Sequence, residues 1–401
     1  MSYIKTARTE KIKHLSTYGL LLFLFLTPFE YPLADLMAVS PLRLVGLFAM
    51  GLAIVDIIVD KKLRIDYRII YLLLWLIYGL ITIFWVENEG RFQSYYSIYI
   101  NNAIMFLLFS MISFEKNEIE IFKKSIIFGV GALLLYMMFV PGAVSYSEYQ
   151  HRLTLNAGKE GLDQNYLAGL MLMAFGFVFY KICNAKQKKQ QKVLSIIFCG
   201  LIVYFVLLAG SRSGLIALLL ISILSIRASW KMRLKIGIPL LIVFLIGLPI
   251  LARYLPQELM ERFSLSALTG QEAESASRLI IWEKALNSLK GVEIIFGYGV
   301  GASQTVVGNV LGLGKDMAIH NHYLAMLVEM GCIGFLLINF LILKMNKEMW
   351  KKDKSIATSF LGIMIMAFFI DVLTTKFFWT AMILLSVGFY NGKSESEEGN
   401  E

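Results

Sequence analysis

The sequence HNHYLAMLVEMG, starting at His320, places two imidazoles at the mouth of a long apolar segment. Polar groups at the end of a membrane helix are costly and persist mainly where they face a pocket or water. A helix cap explains Asn321 but leaves His320 and His322 unexplained. We therefore expect a functional site here, with His320 and His322 in it.

Arginines accompany the histidines on the same predicted side of the membrane. Arg212 lies in the turn GSRSG, and Arg278 opens the sequence SRLIIWEKA. Arg152 and Asn165 lie in and just after an earlier loop. Each of them also has an ordinary explanation, since an arginine can reach lipid headgroups and an Asn often caps a helix. Taken together they fit an anionic group such as a diphosphate, because guanidinium stays charged and binds phosphate through two hydrogen bonds.

Other chemistries have no support in the sequence. The run GYGVGAS at 297–303 does not match a dinucleotide fingerprint, and there is no P-loop. No GxSxG, HExxH or cysteine-based metal set occurs, so neither a metal nor another cofactor is expected. The cysteines at 183, 199 and 332 are interpreted as small buried residues, and His14, in a basic tail, as a surface residue.

The elements that carry these residues are apolar helices. Of the 401 residues 57% are hydrophobic and 17% charged, and apolar segments repeatedly reach the length that crosses a hydrocarbon core of about 30 Å. The predicted fold is all-α, a single polytopic membrane domain over residues 1–401. About twelve transmembrane helices are predicted near residues 15–29, 40–59, 67–86, 98–114, 121–140, 164–182, 193–209, 213–228, 235–252, 319–343, 355–371 and 376–391.

Basic residues predict the orientation. If the N-terminus is cytoplasmic, 26 of the 38 Lys and Arg lie in inside segments, and the short outer loops are nearly free of them. This pattern places both termini inside. It also explains the net charge of +9 without nucleic acid, which is not an expected partner. No small-residue cleavage site follows the first apolar run, so the first helix is expected to be retained.

Two outer segments are long enough to have structure of their own, and loops of this length are usually functional. The first is 141–163, and the second is 253–318, between the ninth and tenth helices. In the second, residues 256–260 and 277–290 are predicted to form short amphipathic helices. The acidic tail from residue 391 is expected to be solvated.

Several of these sequences together resemble a known family. GSRSGLIALLL at 210–220, SRLIIWEKAL followed by FGYGVGAS across 277–303, and HNHYLAMLVEMGCIGFLL at 320–337 are similar to successive motifs of the O-antigen ligase and O-antigen polymerase superfamily. LDQNYLAG at 162–169 is similar to an earlier motif. The order and common outer placement of the motifs carry the resemblance, while the first half of the chain matches only as a run of helices.

The resemblance implies a glycosyltransferase of the bacterial cytoplasmic membrane, with its active site on the outer face. It would transfer a glycan from undecaprenyl diphosphate to an acceptor sugar, with inversion at the anomeric carbon and without a metal. Arg212 and Arg278 would hold the donor diphosphate, and His320 would take the proton of the acceptor hydroxyl. Arg152, Asn165 and His322 are expected to contribute to substrate binding. Other polysaccharide-assembly proteins would be its partners.

Three functions are compared. A polymerase of lipid-linked polysaccharide is favoured. The lysine- and isoleucine-rich composition is typical of AT-rich genomes. If the host lacks an outer membrane, a polymerase fits better than a ligase. A ligase would instead transfer the chain to lipid A core or protein. A polysaccharide flippase also commonly has about twelve helices. The sequence shows no duplicated halves, however, and transport does not need a long outer loop with Arg278 and Trp282.

Overall fold

The structure is a computed structural model that describes residues 12–34, 40–60, 64–146, 152–156, 162–226 and 273–389, together with residues 235 and 239. Side chains in the last large range are described from residue 278 onward. The short helix predicted at 256–260 and the acidic tail from 391 therefore lie outside the described residues, as does the predicted ninth helix at 235–252 apart from residues 235 and 239.

The described part is mostly helical, as predicted. The helices are α1 (Ser16–Leu26), α2 (Glu30–Ala34), α3 (Pro41–Asp60), α4 (Tyr67–Ile81), α5 (Glu89–Ser110), α6 (Lys116–Phe139), α7 (Gln164–Asn184), α8 (Lys189–Leu208), α9 (Arg212–Ser225), α10 (Ala273–Ser288), α11 (Glu293–Phe296), α12 (Ser303–Val310), α13 (His322–Lys352), α14 (Lys354–Met366) and α15 (Lys376–Val387). Short 3₁₀ turns follow α1 at Thr27–Phe29 and α4 at Thr82–Phe84.

Seven helical spans of the described residues are long and apolar enough to cross a membrane. They are Ser16–Ala34, Pro41–Asp60, Tyr67–Phe84, Lys116–Phe139, Gln164–Asn184, Lys189–Leu208 and His322–Lys352. Three apolar helices, α9, α14 and α15, are shorter, with 14, 13 and 12 residues. The chain is thus a mostly helical multi-pass membrane protein, and the count of twelve spans stays a prediction.

Several element bounds differ from those expected. Helix α5, predicted as the fourth membrane helix, begins at Glu89 rather than near 98, because Asn88 caps it and polar turns precede its apolar part. Helix α13, predicted as the tenth, extends to Lys352, beyond the predicted end at 343. The segment 141–163, which was predicted to be the first outer loop, contains two three-residue strands, β1 (Val144–Tyr146) and β2 (Leu153–Leu155). They form an antiparallel pair with Ser145 opposite Thr154.

Helix α13 connects the two faces of the bundle. It begins at His322, beside His320, and ends at Lys352. We call the end of the bundle at His320 the His320 face, and the opposite end, with Lys116, Lys181 and Lys352, the lysine face. The basic-residue pattern predicts that the lysine face is cytoplasmic.

Helix α13 is interrupted at Gly331, whose φ of 58° lies in the left-handed region that favours glycine. Such a break leaves carbonyls of the preceding turn without helical partners. The run GYGVGAS supplies hydrogen-bond donors for these carbonyls. Tyr298 N donates to Val328 O and Gly299 N donates to Glu329 O, both at 2.8 Å. The glycine run is therefore a docking segment for the broken helix, and it places the long loop against the bundle.

Two interpretations of single residues were wrong. His14 is not a surface residue, because it is 2% exposed and its Nδ1 lies 2.9 Å from Glu118 Oε2. Glu118 also accepts hydrogen bonds from the His14 backbone N–H and from Thr17 Oγ1, which ties the start of α1 to α6. Of the three cysteines, Cys199 is buried, but Cys183 is exposed and Cys332 is intermediate.

Candidate functional site

A cavity of about 150 Å³ lies at the His320 face. Its wall is formed by the chain before α13, by the starts of α7 and α12, by α5 and by the connection between α14 and α15. The lining residues are Tyr95, Asp163, Tyr166, Ser303, Gln304, Ala318, Ile319, His320, Ala325, Ile370, Asp371 and Thr374. A basic imidazole, two carboxylates and several hydroxyl groups thus converge on one small space.

His320 has an unusual backbone at this cavity. Its φ is 51°, and among the described residues it is the one non-glycine residue with a positive φ. Few residues with a side chain adopt this conformation, and those that do cluster at functional sites. His320 is exposed, whereas its neighbours Ile319 and Asn321 are buried. The chain therefore turns sharply to present the imidazole at the surface.

Polar contacts with α5 hold the segment that leads to His320. The Arg91 guanidinium forms an ion pair with Asp316 and donates to Gln304 Oε1 at 3.1 Å. Gln304 in turn donates through Nε2 to Tyr95 OH at 2.7 Å, and the backbone carbonyl of Gln304 accepts from Met317 N at 3.0 Å. These contacts fix the segment three residues before His320.

Helix α10 docks against the same segment. Trp282 Nε1 donates to the carbonyl of Ile319 at 3.0 Å, and Ile281 and Ala285 are buried. Arg278 is one helical turn before Trp282, so the two side chains lie on the same face of α10. Arg278 is half-buried. The structure thus places the predicted arginine on the helix face that contacts the residue before His320.

The predicted residues Arg152 and Asn165 both contact the turn that carries Arg212. Asn165 Oδ1 accepts from Ser211 Oγ at 2.8 Å, and Arg152 Nε donates to the carbonyl of Ala209 at 2.9 Å. Ser211 also caps α9 by accepting from Gly214 N. Arg212, half-buried, is the first residue of that helix. Arg152 and Asn165 are themselves buried and thus support the Arg212 turn.

The start of α7 links the two groups of residues. Asp163 caps the helix by accepting from Asn165 N at 2.7 Å. Asp163 and Tyr166 line the cavity of His320, while Asn165 between them holds Ser211. One helical turn therefore contacts the Arg212 turn on one side and the His320 cavity on the other.

His322 lies behind the cavity and is completely buried. Its backbone N–H donates to the carbonyls of Ala367 and Ile370, and its Nδ1 lies 3.5 Å from Asp371 Oδ1. These contacts attach the start of α13 to the connection between α14 and α15. The structure places His322 next to a cavity residue but not in the cavity lining.

Asp371 and Ser303 belong to the site but were not identified from the sequence. Asp371 lines the cavity, and its carbonyl accepts from Tyr166 OH at 3.4 Å. Ser303 also lines it, and its hydroxyl donates at 2.6 Å to the buried carboxylate of Glu329. A lone acid in the apolar sequence FFIDVLTT is the signal that could have indicated Asp371, since such residues face a pocket or a partner.

The fold and the site together define a multi-pass membrane protein with a polar site at one end of its helices, which contains a histidine, two carboxylates and several hydroxyl groups. Residues 197–338, about a third of the chain, match the family model described as O-antigen ligase. This match confirms the resemblance to the O-antigen ligase and polymerase superfamily. It covers Arg212, Arg278 and His320. No curated protein matches the chain.

The match supports activity of the membrane glycosyltransferase type that characterises this superfamily, with lipid-linked polysaccharide as substrate, and a place in the inner membrane. Among the described residues, no group of three or more His, Cys, Asp or Glu side chains has the arrangement of a metal site.

Proposed function

We propose that the protein is a polymerase of lipid-linked polysaccharide, which joins a glycan from undecaprenyl diphosphate to the sugar of another lipid-linked chain. The observation that carries the proposal is the position of His320. It is exposed at a small polar cavity in a strained backbone conformation, and the turn of Arg212 is joined to the same wall through Asn165.

In the proposed reaction, His320 is the general base. The acceptor hydroxyl loses its proton to an imidazole nitrogen of His320 as its oxygen attacks the anomeric carbon of the donor sugar. The bond from that carbon to the diphosphate oxygen breaks, and the diphosphate leaves with the bonding electrons. A direct displacement of this kind inverts the anomeric carbon. A positioned base contributes about 10² to 10⁴ in rate.

The charges of the cavity suggest whether it binds the acceptor sugar or the donor diphosphate. The carboxylates of Asp163 and Asp371 line the cavity and would repel a diphosphate. They can instead accept hydrogen bonds from sugar hydroxyls, as can the hydroxyl groups of Tyr166 and Ser303. We therefore assign the cavity to the acceptor sugar.

The donor diphosphate is assigned to Arg212, on the turn that contacts Asn165, and to Arg278, on the helix that contacts Ile319. Preorganised cations stabilise the negative charge that develops on a leaving diphosphate. Both residues are at helix positions that the structure fixes, one at the capped start of α9 and the other one turn from the docked Trp282. In this scheme the charge of the leaving group is met by side chains, and a metal is not required.

The supporting residues have a separate role. Arg152 and Asn165 hold the Arg212 turn, and His322 holds the segment with Asp371. We propose that they act by positioning the substrate-binding groups. The two termini are proposed to be cytoplasmic and the His320 face extracytoplasmic, where no nucleotide sugars are available and a lipid-linked donor is needed.

The test compares His320→Ala with His322→Ala in purified protein, using an undecaprenyl-diphosphate-linked oligosaccharide as both donor and acceptor. We expect His320→Ala to bind the donor normally but to form no detectable product, and His322→Ala to retain part of the turnover. Full turnover by His320→Ala would remove the base assignment. Loss of donor binding by the same variant would instead place His320 at the diphosphate. Transfer to lipid A core but not to a second lipid-linked chain would identify a ligase.

A further inference from the structure

A second cavity, of about 370 Å³, lies at the lysine face, at the far end of α13 from His320. It is formed where α6, α7, α13 and α14 meet. The lining residues are Lys116, Ile119, Glu120, Lys123, Lys124, Ile127, Phe177, Tyr180, Lys181, Asn184, Ala185, Lys352, Asp353 and Ser355. Five lysines and two carboxylates give this lining a net charge of +3.

The two carboxylates of this cavity are directed at one lysine. Lys123 is buried, and its Nζ lies 2.6 Å from Glu120 Oε1 and forms an ion pair with Asp353. The negative charge of the lining is therefore concentrated at Lys123. Lys116, Lys124 and Lys181 are exposed around it and add positive charge to the cavity. The cavity is thus suited to an anion.

An apolar groove of about 670 Å³ adjoins this basic cavity. Ile127 lines both spaces. The groove lies between α1, α6, α7 and α8, and its other lining residues are Phe25, Phe128, Gly131, Ala132, Leu134, Leu135, Val178, Leu194, Ser195, Ile197, Phe198 and Leu201. From Ile127 to Leu135 it extends about 12 Å along α6, at about 1.5 Å per residue.

Small and exposed residues keep the groove open to the surroundings of the bundle. Gly131 has no side chain, and a Cβ there would contact the Phe198 ring at 3.6 Å. Phe128 and Leu194 are 66% and 68% exposed. An apolar surface of this kind, at the level of a membrane, faces lipid chains.

We propose that the two spaces form one binding site for an anionic phospholipid of the surrounding bilayer. The phosphate of the headgroup lies among Lys116, Lys124 and Lys181, and an acyl chain lies in the groove past Gly131. Basic pockets between membrane helices are suited to anionic headgroups. The continuous apolar groove distinguishes a phospholipid from a soluble phosphate, which has no chain to place there. This site is at the opposite face from His320 and does not depend on the proposed reaction.

The headgroup is tested on the full-length protein in nanodiscs of phosphatidylcholine with a spin-labelled phosphatidylglycerol as probe. The triple variant Lys116→Gln, Lys124→Gln, Lys181→Gln removes the positive rim. A matched control, Lys186→Gln, Lys188→Gln, Lys189→Gln, removes three exposed lysines of the same face that do not line the cavity. We expect binding to weaken about a hundredfold in the first triple variant, at roughly fivefold per lysine, and to change little in the control.

The groove is tested separately with Gly131→Phe, which places a ring where the acyl chain is proposed. The control is Gly200→Phe on α8, since Gly200 is exposed and has no atom near its Cβ position. We expect Gly131→Phe alone to weaken binding of the probe, with unchanged thermal unfolding.

Two outcomes overturn the proposal. Equal loss of binding in both lysine triple variants would show an attraction by general surface charge. Displacement of the probe by soluble glycerol phosphate, together with normal binding to Gly131→Phe, would show a site for free phosphate.

Discussion

Asn165 Oδ1 accepts a hydrogen bond from Ser211 Oγ at 2.8 Å, which joins the start of α7 to the turn that carries Arg212. Ser213 Oγ lies 3.4 Å from the same oxygen. Both hydroxyl groups are buried. Because Asp163 and Tyr166 of the same helical turn line the His320 cavity, this contact sets the position of Arg212 relative to the proposed base.

The first prediction concerns this contact. Asn165→Ala leaves two buried hydroxyl groups without their acceptor, which costs about 1–3 kcal/mol. We expect weaker donor binding, and a fall in turnover at low donor concentration that high donor concentration largely restores. Asn156→Ala serves as a control, since Asn156 is exposed just after β2 and contacts the carbonyl of Gly142. Equal kinetics of Asn165→Ala and Asn156→Ala would show that the contact does not position Arg212.

The second prediction concerns Arg212. Arg212→Lys keeps the positive charge but removes the planar pair of donors, so donor binding falls strongly if the diphosphate is held by two hydrogen bonds. Glycan transfer by the purified variant is measured over a range of donor concentrations. Activity equal to that of the unaltered protein would mean that Arg212 only reaches toward lipid headgroups.

The sequence predicts the helices of this fold well and its short elements poorly, for physical reasons. A membrane helix requires a long apolar run, as in α3 and α8, and such a run is visible without tertiary information. The strands β1 and β2 have three residues each, too few to show the alternation that identifies a strand. Their pairing depends on the fold around them.

The candidate site shows the same limit. His320 and Arg212 are polar or charged residues at the ends of apolar segments, and a sequence shows such residues because they are costly in a membrane. Arg278 lies on the long loop and was identified through the resemblance of SRLIIWEKAL to a family motif. Asp371 and Ser303 join the cavity only because α7, α12 and α13 pack together. His14 was misassigned because its partner Glu118 is on a distant helix, and a basic tail gives no indication of a buried contact.

The third prediction is the orientation of the chain. In a protein without its native cysteines, Lys315→Cys on the loop and Lys188→Cys on the lysine face are both exposed positions. We expect a membrane-impermeant maleimide to label Lys315→Cys in intact cells and Lys188→Cys only after permeabilisation, because basic residues are concentrated on the cytoplasmic side. The reverse labelling pattern would invert the topology.

The fourth prediction is a pH dependence of stability that comes from His14. Burial alone would lower the pKa of His14, but its hydrogen bond and charge interaction with Glu118 raise the pKa above the ordinary value. A group with a raised folded-state pKa stabilises the fold fully below the unfolded value of about 6.5, and this contribution is lost as pH rises through the folded-state pKa.

Thermal unfolding in detergent, measured from about pH 6 to about pH 8, tests this dependence. The difference in melting temperature between the unaltered protein and His14→Gln should be largest at the acidic end and should shrink as pH rises. A difference that stays constant over this range, or grows toward alkaline pH, would contradict the assigned role of His14.

The fifth prediction concerns the break in α13. Gly331 has a φ of 58°, and a Cβ there would overlap the backbone of Ile295 and Gly297. Gly331→Ala must therefore push away the glycine run, whose N–H groups now satisfy the carbonyls of Val328 and Glu329. We expect a loss of more than about 2 kcal/mol of stability, as for other strained or overpacked substitutions. Because the run also leads into Ser303 of the cavity, turnover should fall as well.

The control is Gly200→Ala, at a helical position with no atom within 4 Å of a Cβ. There the substitution should be neutral or stabilise the protein by up to about 1 kcal/mol. Melting temperature and glycan transfer are measured for both variants. If Gly331→Ala melts and turns over like Gly200→Ala, the glycine run does not dock against the break in the way described.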